Sequence, residues 1–237
     1  MLGSAALILS LCGLGQAGDI STPNRANTFS IVALDPETGE LGIAVQSKIV
    51  GVGAIVPWAE AGVGAVATQS LANVRYGPIA LQLLRLGTDP EEVVKIMTDA
   101  DPHKEMRQLG IVSAKGRSAA YTGLACDDAA LHLVGEGYAI QGNLLAGESV
   151  ITAMEEAFLK SKGALGARLL AALEAGQNAG GDRRGKQSAC LLVVKDGWGY
   201  AGLNDRFRDI RVDDHEHPIQ ELIRIYKLHQ EMFPRPE

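Results

Sequence analysis

Aromatic residues, cysteine and positive charge are scarce in this sequence. Aromatic residues make up 5% of the 237 residues, and the 28 glycines predict many tight turns and close strand contacts. The formal net charge is -6, and no cluster of Lys or Arg offsets it, which argues against a nucleic-acid-binding protein. The hydrophobic fraction of 46% is typical of a globular protein, and the length predicts one well-buried domain over residues 28–237.

The cysteines exclude the common zinc motifs. Cys12, Cys126 and Cys190 form no Cys-x-x-Cys pair, so a structural zinc site is not supported. Cys190 lies in an apolar run, which predicts a small buried residue. A Cys126–Cys190 disulfide formed after export stays an open alternative. The sequence also has no Gly-x-Ser-x-Gly elbow and no phosphate-binding P-loop.

Long apolar runs are missing except at the N-terminus. Residues 1–12 are apolar and uncharged, and Gly15-Gln16-Ala17 supplies small residues of the kind that signal peptidase prefers. We therefore predict a signal peptide over residues 1–17 and a linker or propeptide over residues 18–27. The run is shorter than the roughly 20 residues of a membrane span. The protein would be periplasmic or secreted, or cytoplasmic if the start codon is misassigned.

The predicted strands come in hairpins rather than alternating singly with helices. Antiparallel pairs are followed by two helices, more strands, two helices, strands and a final helix, which predicts an α+β fold: a four-layer α/β/β/α sandwich of two antiparallel sheets. The predicted strands are Thr28–Leu34, Leu41–Ser47, Val52–Pro57, Val63–Gln69, Gln108–Ala114, Ser118–Thr122, Leu131–Val134, Tyr138–Gln141, Gln187–Val194, Tyr200–Leu203 and Phe207–Val212. The predicted helices are Pro78–Leu86, one starting at Asp89-Pro90, Glu148–Ser161, Leu165–Ala175 and Pro218–Met232.

Thr28 opens the first predicted strand, directly after the segment that we expect to be dispensable. A threonine at a mature N-terminus carries a hydroxyl nucleophile and an amine base on one residue. Such an amine has a pKa of roughly 7.7–8.0, so a useful fraction is neutral near pH 7. This chemistry requires cleavage of the Asn27–Thr28 bond. The alternative is an ordinary strand threonine.

Polar residues interrupt otherwise apolar elements at predicted strand ends, where a sheet can hold a site. Lys48 would lower the pKa of the Thr28 amine, and Asp182 would orient this amine. Gln69 and Asn143 carry amide donors for an oxyanion or a substrate. The remaining substrate-binding candidates are Ser47, Asn73, Arg183 and Arg184. Each of these residues could instead be a turn cap or a solvated surface group.

One segment offers metal-ligand types. Asp213, Asp214, His215 and His217 surround Glu216, but the His-Glu-x-x-His spacing is absent. Because Pro218 favours a helix start, the run also fits a helix cap. Metal-dependent hydrolysis through these residues is therefore a weaker alternative, and no metal is expected.

Several motifs in order closely resemble the domain-of-unknown-function 1028 family over roughly residues 28–230. The matching segments are Thr28-Phe29-Ser30-Ile31-Val32-Ala33, Asp35-Pro36-x-Thr38-Gly39-Glu40-Leu41-Gly42, Ser47-Lys48, Gly64-Ala65-Val66-Ala67-Thr68-Gln69, Gln141-Gly142-Asn143, Gly181-Asp182-Arg183-x-Gly185-x-Gln187-Ser188-Ala189 and Arg211-Val212-Asp213-Asp214-His215. The resemblance implies the fold of an N-terminal nucleophile hydrolase. More distant similarity to proteasome-type subunits implies that Lys48 and Asp182 lie near the nucleophile.

This chain departs from the family at its nucleophile. Family members commonly begin Met-Thr-Phe-Ser, so removal of Met exposes the threonine, whereas here Asn27 precedes Thr28. A cut after Ala17 leaves ten residues attached, so a second cut is needed. The resemblance implies an amidohydrolase or peptidase-like enzyme that acts on a small amide, needs no cofactor and forms a homo-oligomer. The alternative is a catalytically inactive binding module of the same fold.

Overall fold

The computed structural model describes residues 27–236, in which ten strands and five α-helices form. The predicted signal peptide and most of the predicted propeptide lie outside these residues. The strands are β1 Thr28–Leu34, β2 Leu41–Ser47, β3 Pro57–Glu60, β4 Gly64–Ser70, β5 Arg107–Ser113, β6 Ser118–Thr122, β7 Leu131–Gly135, β8 Tyr138–Gly142, β9 Ser188–Val194 and β10 Arg206–Val212. The helices are α1 Tyr76–Arg85, α2 Pro90–Asp99, α3 Ser149–Lys160, α4 Leu165–Asn178 and α5 Pro218–Met232.

The strands form two antiparallel sheets. One has six strands in the order β10-β9-β2-β1-β8-β7, and the other has four in the order β3-β4-β5-β6. β1 and β2 form a hairpin in which Thr28 pairs with Ser47. Its turn is closed by a bond from the Asp35 amide to the Glu40 carbonyl (2.9 Å), and Gly39 adopts the left-handed φ of 71° that glycine tolerates best.

Three apolar clusters separate four layers. α3, α4 and α5 pack on the outer face of the six-stranded sheet, and α1 and α2 cover the four-stranded sheet. The third cluster lies between the sheets and includes Val32, Ile43 and Val112. Alternate residues of each strand point to opposite faces of the sheet. A central strand such as β1 therefore contributes side chains both to the cluster under the helices and to the cluster between the sheets. The predicted α/β/β/α sandwich of two antiparallel sheets is confirmed.

Two predicted strands are wrong. In place of Val52–Pro57, residues Val52–Ala54 form a 3₁₀ turn, because Gly51 takes a left-handed φ of 68° and the Ile55 amide bonds the Val52 carbonyl at 3.1 Å. β3 begins only at Pro57. In place of Tyr200–Leu203, a second 3₁₀ turn spans Tyr200–Gly202. Glycines and Ala201, whose φ is 56°, turn the chain there.

Cys126 and Cys190 are not bonded to each other. Cys190 belongs to the cluster between the sheets, whereas Cys126 lies in the loop after β6 and contacts the Arg107 carbonyl at 3.3 Å. Burial, followed by the charge of Asp209, raises the pKa of Cys190 to about 12. The thiol therefore stays protonated and unreactive.

No helix within residues 27–236 has both the length and the apolar character needed to cross a membrane.

Candidate active site

Thr28 lies at the first position of β1 and faces the space between the two sheets. Phe29 and Ile31 pack towards α3 and α4, whereas Val32 packs between the sheets, so the alternation of the strand turns Thr28 and Ser30 inward. Thr28 pairs with Ser47 of β2, which pairs with Ser188 of β9. Three neighbouring strands thus place hydroxyl residues in one row at the same end of the sheet.

The carbonyl of Asn27, which belongs to the peptide bond before Thr28, is held by two donors. The Ser47 hydroxyl donates to this oxygen at 2.6 Å, and Arg184 Nη2 donates to it at 2.7 Å. The Thr28 hydroxyl in turn donates to Ser47 Oγ at 3.1 Å. Thr28 is fully buried, so this arrangement is shielded from bulk water, which strengthens its hydrogen bonds.

Asp182 fixes Arg184 in this position. Its carboxylate, whose side chain is 0% exposed, accepts bonds from Arg184 Nη2 (2.7 Å), Arg184 Nε (3.1 Å) and the Arg184 amide (2.9 Å). It also accepts the Lys48 amide at 3.3 Å. The loop is held to the segment that follows β8 by a bridge between Leu145 and Asp182. A charge buried in this way needs such partners, and here they set the direction of the guanidinium.

The other two basic candidates extend away from Thr28. Lys48 is exposed, and its Nζ donates to the Lys186 carbonyl at 3.4 Å. Arg183 is half-exposed and lies 3.7 Å from Asp128. Arg184, rather than Lys48, reaches the peptide unit that precedes Thr28. The functions predicted for Lys48 and Arg183 stay predictions.

Gln69 and Asn143 lie below Thr28, in a buried polar cluster. Gln69 Nε2 donates to the Thr28 carbonyl at 3.2 Å and to Gln108 Oε1 at 2.8 Å. The Asn143 amide also donates to the Thr28 carbonyl at 3.1 Å, and Asn143 Nδ2 donates to Gln108 Oε1 at 2.8 Å. In this structure their donors hold the backbone at the start of β1, and their role as oxyanion or substrate donors stays a prediction.

Sequence reasoning missed three members of this polar cluster: Ser30, Gln108 and Gln141. Gln141 Nε2 donates to Ser30 Oγ at 2.6 Å, and Ser30 Oγ donates to Gln69 Oε1 at 2.6 Å. A Cβ at Gly110 would lie 1.9 Å from Gln141 Oε1, so only glycine leaves room for this amide. Long polar residues at inward positions of apolar strands are the signal that could have identified them.

Asn73 belongs to a separate group. Its Nδ2 donates to Asp101 at 3.0 Å, and Tyr76 and Arg107 donate to the same carboxylate at 2.9 Å each. Although burial opposes ionisation of Asp101, bonds from Arg107, the His103 amide, Asn73 and Tyr76 hold its pKa well below the usual range. Asn73 therefore helps to fix the loop after β4 at the same end of the molecule.

The weaker metal alternative is not supported by the geometry. Within residues 27–236, no three His, Cys, Asp or Glu side chains converge in a way that could hold a metal ion. Asp214 accepts from Gln187 at 3.1 Å, and His217 lies 2.9 Å from Lys186 Nζ. The run Asp213–His217 ties the end of β10 to the loop before β9, and Pro218 begins α5.

A cleft of about 450 Å³ opens between the ends of β6 and β7, lined by residues 122–124 and 126–132. Gln108 Nε2 links the polar cluster to it through Thr122 Oγ1 at 2.9 Å, and Thr122 contacts His132 Nδ1 at 2.8 Å. Burial lowers the pKa of His132, which favours the neutral imidazole. The cleft lies two strands from β1, a distance of about 10 Å.

Comparison with known proteins identifies the family. The chain is similar to protein SPO2555 from Silicibacter pomeroyi, whose crystal structure aligns with a TM-score of 0.79 at 35% identity over 86% of each chain. It also aligns with Anbu, an ancestral beta-subunit from Yersinia bercovieri, with a TM-score of 0.36 at 13% identity over 89% of this chain and 99% of that one. No curated protein matches it in sequence. Residues 28–222 match the description "Family of unknown function (DUF1028)", and the chain belongs to this family.

Proposed function

We propose that this protein is an N-terminal nucleophile amidohydrolase that cleaves a small amide with Thr28 as its nucleophile. The observation that carries the proposal is the geometry around the Asn27–Thr28 bond. The Thr28 hydroxyl is bonded to Ser47, and the carbonyl before it is bonded to Ser47 and Arg184. A hydroxyl beside donors that converge on a carbonyl oxygen is the arrangement that acyl transfer needs.

Cleavage of the Asn27–Thr28 bond would supply the base. It leaves a primary amine on Thr28, whose pKa of roughly 7.7–8.0 lets it accept the hydroxyl proton near neutral pH. In the described chain this nitrogen is an amide and has no basicity. The hydrolase therefore exists only in a chain that starts at Thr28.

Catalysis would run in two steps. The Thr28 hydroxyl adds to the substrate carbonyl while its proton passes to the amine, and the leaving amine takes the proton as the C–N bond breaks. Water then hydrolyses the Thr28 ester. Asp182 keeps Arg184 in place, and Gln69 and Asn143 hold the Thr28 carbonyl from below, so the nucleophile is fixed before substrate arrives.

A non-catalytic binding module is the second candidate. It is favoured by the complete burial of Thr28 while Asn27 is attached, because a buried hydroxyl cannot meet a substrate. The two candidates differ in one property: only the hydrolase needs a free Thr28 amine.

The test is hydrolysis of a panel of small amides by the full-length chain, with Thr28→Ala and Thr28→Ser variants. Removal of the hydroxyl should lower the rate by at least about 10³-fold, with a thermal midpoint within a few degrees of the wild type, whereas Thr28→Ser keeps a hydroxyl and should retain activity. Equal hydrolysis by Thr28→Ala would remove Thr28 from the mechanism. Binding without turnover in every form would favour the binding module.

A further inference from the structure

We propose that the end of the sandwich opposite to Thr28 carries a second binding site, which takes a planar aromatic molecule with a carboxylate or a similar anionic group. The site is a cleft of about 540 Å³ between the turn at Tyr200–Gly202 and the C-terminal end of α5, here called the aromatic cleft. Its volume lies within the range of small-molecule sites.

The aromatic cleft is remote from the Thr28 end of the six-stranded sheet. Thr28 pairs with Ser47, and Ser47 pairs with Ser188 at the start of β9. Arg206, which lines the cleft, pairs with Val194 at the other end of β9. Because a strand rises about 3.3 Å per residue, the seven residues of β9 separate the two places by roughly 20 Å. Binding in the cleft therefore does not depend on the proposed hydrolysis.

Aromatic side chains form the walls of the cleft. Trp198 and Phe207 meet edge to face, with ring centroids 4.9 Å apart and planes at 76°. Tyr200 and Phe233 form a second edge-to-face pair, with centroids 6.3 Å apart. All four side chains line the cleft. Since aromatic rings prefer offset or edge-to-face contacts with other rings, these walls favour an aromatic molecule over an aliphatic one of equal size.

Much of this apolar surface faces solvent. Tyr200 is 77% exposed and Met232 is 72% exposed, although both line the cleft. Ala201, which follows Tyr200, takes a left-handed φ of 56°, a conformation that is unfavourable for a residue other than glycine. Exposed apolar patches and strained backbone both occur preferentially at binding sites. The two features coincide in this turn.

A buried positive charge lies directly behind the Phe207 ring. Arg208 is 3% exposed, and its guanidinium carbon is 3.8 Å from the centre of that ring. Its Nη1 donates to His229 Nδ1 at 2.6 Å and to the Phe233 carbonyl at 2.8 Å, and its Nε has no partner among residues 27–236. Burial lowers the pKa of Arg208 although the charge of Glu40 opposes this shift. The positive charge is therefore incompletely compensated, and it attracts an anion to the cleft.

His229 supplies a hydrogen-bond donor in the wall of the cleft. It lines the cleft, and its Nδ1 accepts from Arg208. Since a guanidinium only donates, Nδ1 carries no proton, and the proton of the neutral ring is on Nε2. Burial and the charge of Arg208 lower the pKa of His229, which keeps the ring neutral. An N–H group on a ring that is bonded to a buried guanidinium suits an anionic oxygen.

The charges at the rim of the cleft also favour an anion. Arg206 lines the cleft with a half-exposed side chain, which pairs with Asp209. Arg235 lies 5.3 Å from the centre of the Trp198 ring and bonds Glu40. Of the described residues that line the cleft, none is acidic. An aromatic carboxylate therefore matches both the walls and the charge, whereas a neutral aromatic molecule or an aliphatic acid matches only one of them.

The test is isothermal titration calorimetry of the full-length chain with 2-naphthoate, with neutral 2-naphthamide and with cyclohexanecarboxylate. The amide keeps the rings but lacks the charge, and the third probe keeps the charge but lacks the aromatic rings. We expect 2-naphthoate to bind at least about tenfold more tightly than either of the others. Equal affinity for either of the other probes, or no binding of 2-naphthoate at about 1 mM, would overturn the inference.

Variants determine whether the binding takes place in the aromatic cleft. Arg206→Gln should weaken the binding of 2-naphthoate about fivefold. Arg224→Gln removes another exposed arginine that pairs with a carboxylate three residues away, so it is the matched control and should bind as the wild type does. Tyr200→Ala should also weaken binding about fivefold, whereas Leu203→Ala, at a similarly exposed position beside the same turn, should not. Wild-type affinity in folded Arg206→Gln or Tyr200→Ala, with folding checked by thermal melting, would contradict the proposed site.

A second copy of the chain is the other occupant that an exposed aromatic surface could take. Analytical ultracentrifugation of the wild type and of Tyr200→Ala distinguishes this case from a small-molecule site. We expect the same oligomeric state in both proteins. An oligomer that Tyr200→Ala dissociates would show that a second copy covers the cleft, and the small-molecule site would then be wrong.

Discussion

The two ends of the space between the sheets differ sharply in chemistry. Away from Thr28 the space is filled by aliphatic side chains such as Leu41, Ile43 and Val112. At the Thr28 end, β4 and β5 carry Gln69 and Gln108 in a hydrogen-bonded cluster. Both ends are buried, so burial alone does not explain the contrast.

The two ends of the space between the sheets therefore have different roles. Apolar burial stabilises the sandwich but is not directional, so it cannot fix the orientation of a hydroxyl. The amide groups are directional, and two of them converge on the Thr28 carbonyl. Most polar atoms of this cluster are satisfied, as a buried polar network requires, but Gln141 Oε1 and Asn143 Oδ1 have no partner within residues 27–236. We infer that the apolar end maintains the fold and the polar end fixes the position of Thr28.

The largest expected effect on stability is at the apolar end. Ile43→Ala removes a fully buried side chain and should lower the free energy of unfolding by about 4 kcal/mol. Hydrolysis per folded molecule should stay at the wild-type level, because Ile43 belongs to the apolar cluster. Urea unfolding and active-site titration measure the two quantities. A specific loss of activity in folded Ile43→Ala would break the separation of tasks.

The next effect concerns the ion pair that holds the loop after β4. In the wild type, Asp101 lies 2.9 Å from the buried Arg107 guanidinium. Asp101→Asn removes the counter-charge of this guanidinium and should lower the free energy of unfolding by about 3 kcal/mol at pH 7. Since the pKa of Asp101 is lowered in the folded state, its contribution is complete above the unfolded pKa of about 3.9 and is lost as the pH falls through the folded value. Urea unfolding at pH 7 and pH 3 should show the difference between the proteins shrinking in acid. An unchanged difference would contradict this assignment.

A smaller effect distinguishes satisfied from unsatisfied buried amides. Gln108 Nε2 donates to Thr122, Leu131 and Gly142, so Gln108→Leu should cost about 2 kcal/mol and reduce hydrolysis. Gln46 is equally buried, but neither of its amide atoms has a partner within the described residues. Gln46→Leu is therefore the matched control and should be neutral or stabilising. Equal losses in both variants would show that the hydrogen bonds of Gln108 have no special importance.

The smallest effect is expected at Lys48. Its side chain is exposed and reaches the Lys186 carbonyl, so Lys48→Ala should change the free energy of unfolding by less than about 0.5 kcal/mol. Hydrolysis should also change little, in contrast to Arg184→Ala. A large loss of activity with Lys48→Ala, measured as kcat/KM, would restore Lys48 as the cation that acts on the amine.

The fold was predictable because its signals are local. The apolar alternation of Leu41–Ser47 and the helix start at Asp89-Pro90 each depend on near neighbours, and the structure has both elements. The prediction of a strand at Val52–Pro57 was wrong although its valines fit a strand pattern. The left-handed conformation of Gly51 and the bond from the Val52 amide to Ser188 Oγ favour a turn instead. That bond joins residues that are far apart in the chain.

The site was predictable only in part, for the same reason. Strand-end position singled out Thr28, Ser47, Gln69 and Asn143, which the structure brings together. That Arg184, rather than Lys48, reaches the Asn27 carbonyl depends on the path of the loop after α4, which no local pattern specifies.

The most direct test of the central claim is the N-terminal residue of purified protein that hydrolyses an amide, read by N-terminal sequencing together with intact mass. We predict that active molecules begin at Thr28 and that activity rises in proportion to the fraction cut. Full activity in molecules that still carry Asn27 joined to Thr28 would contradict it.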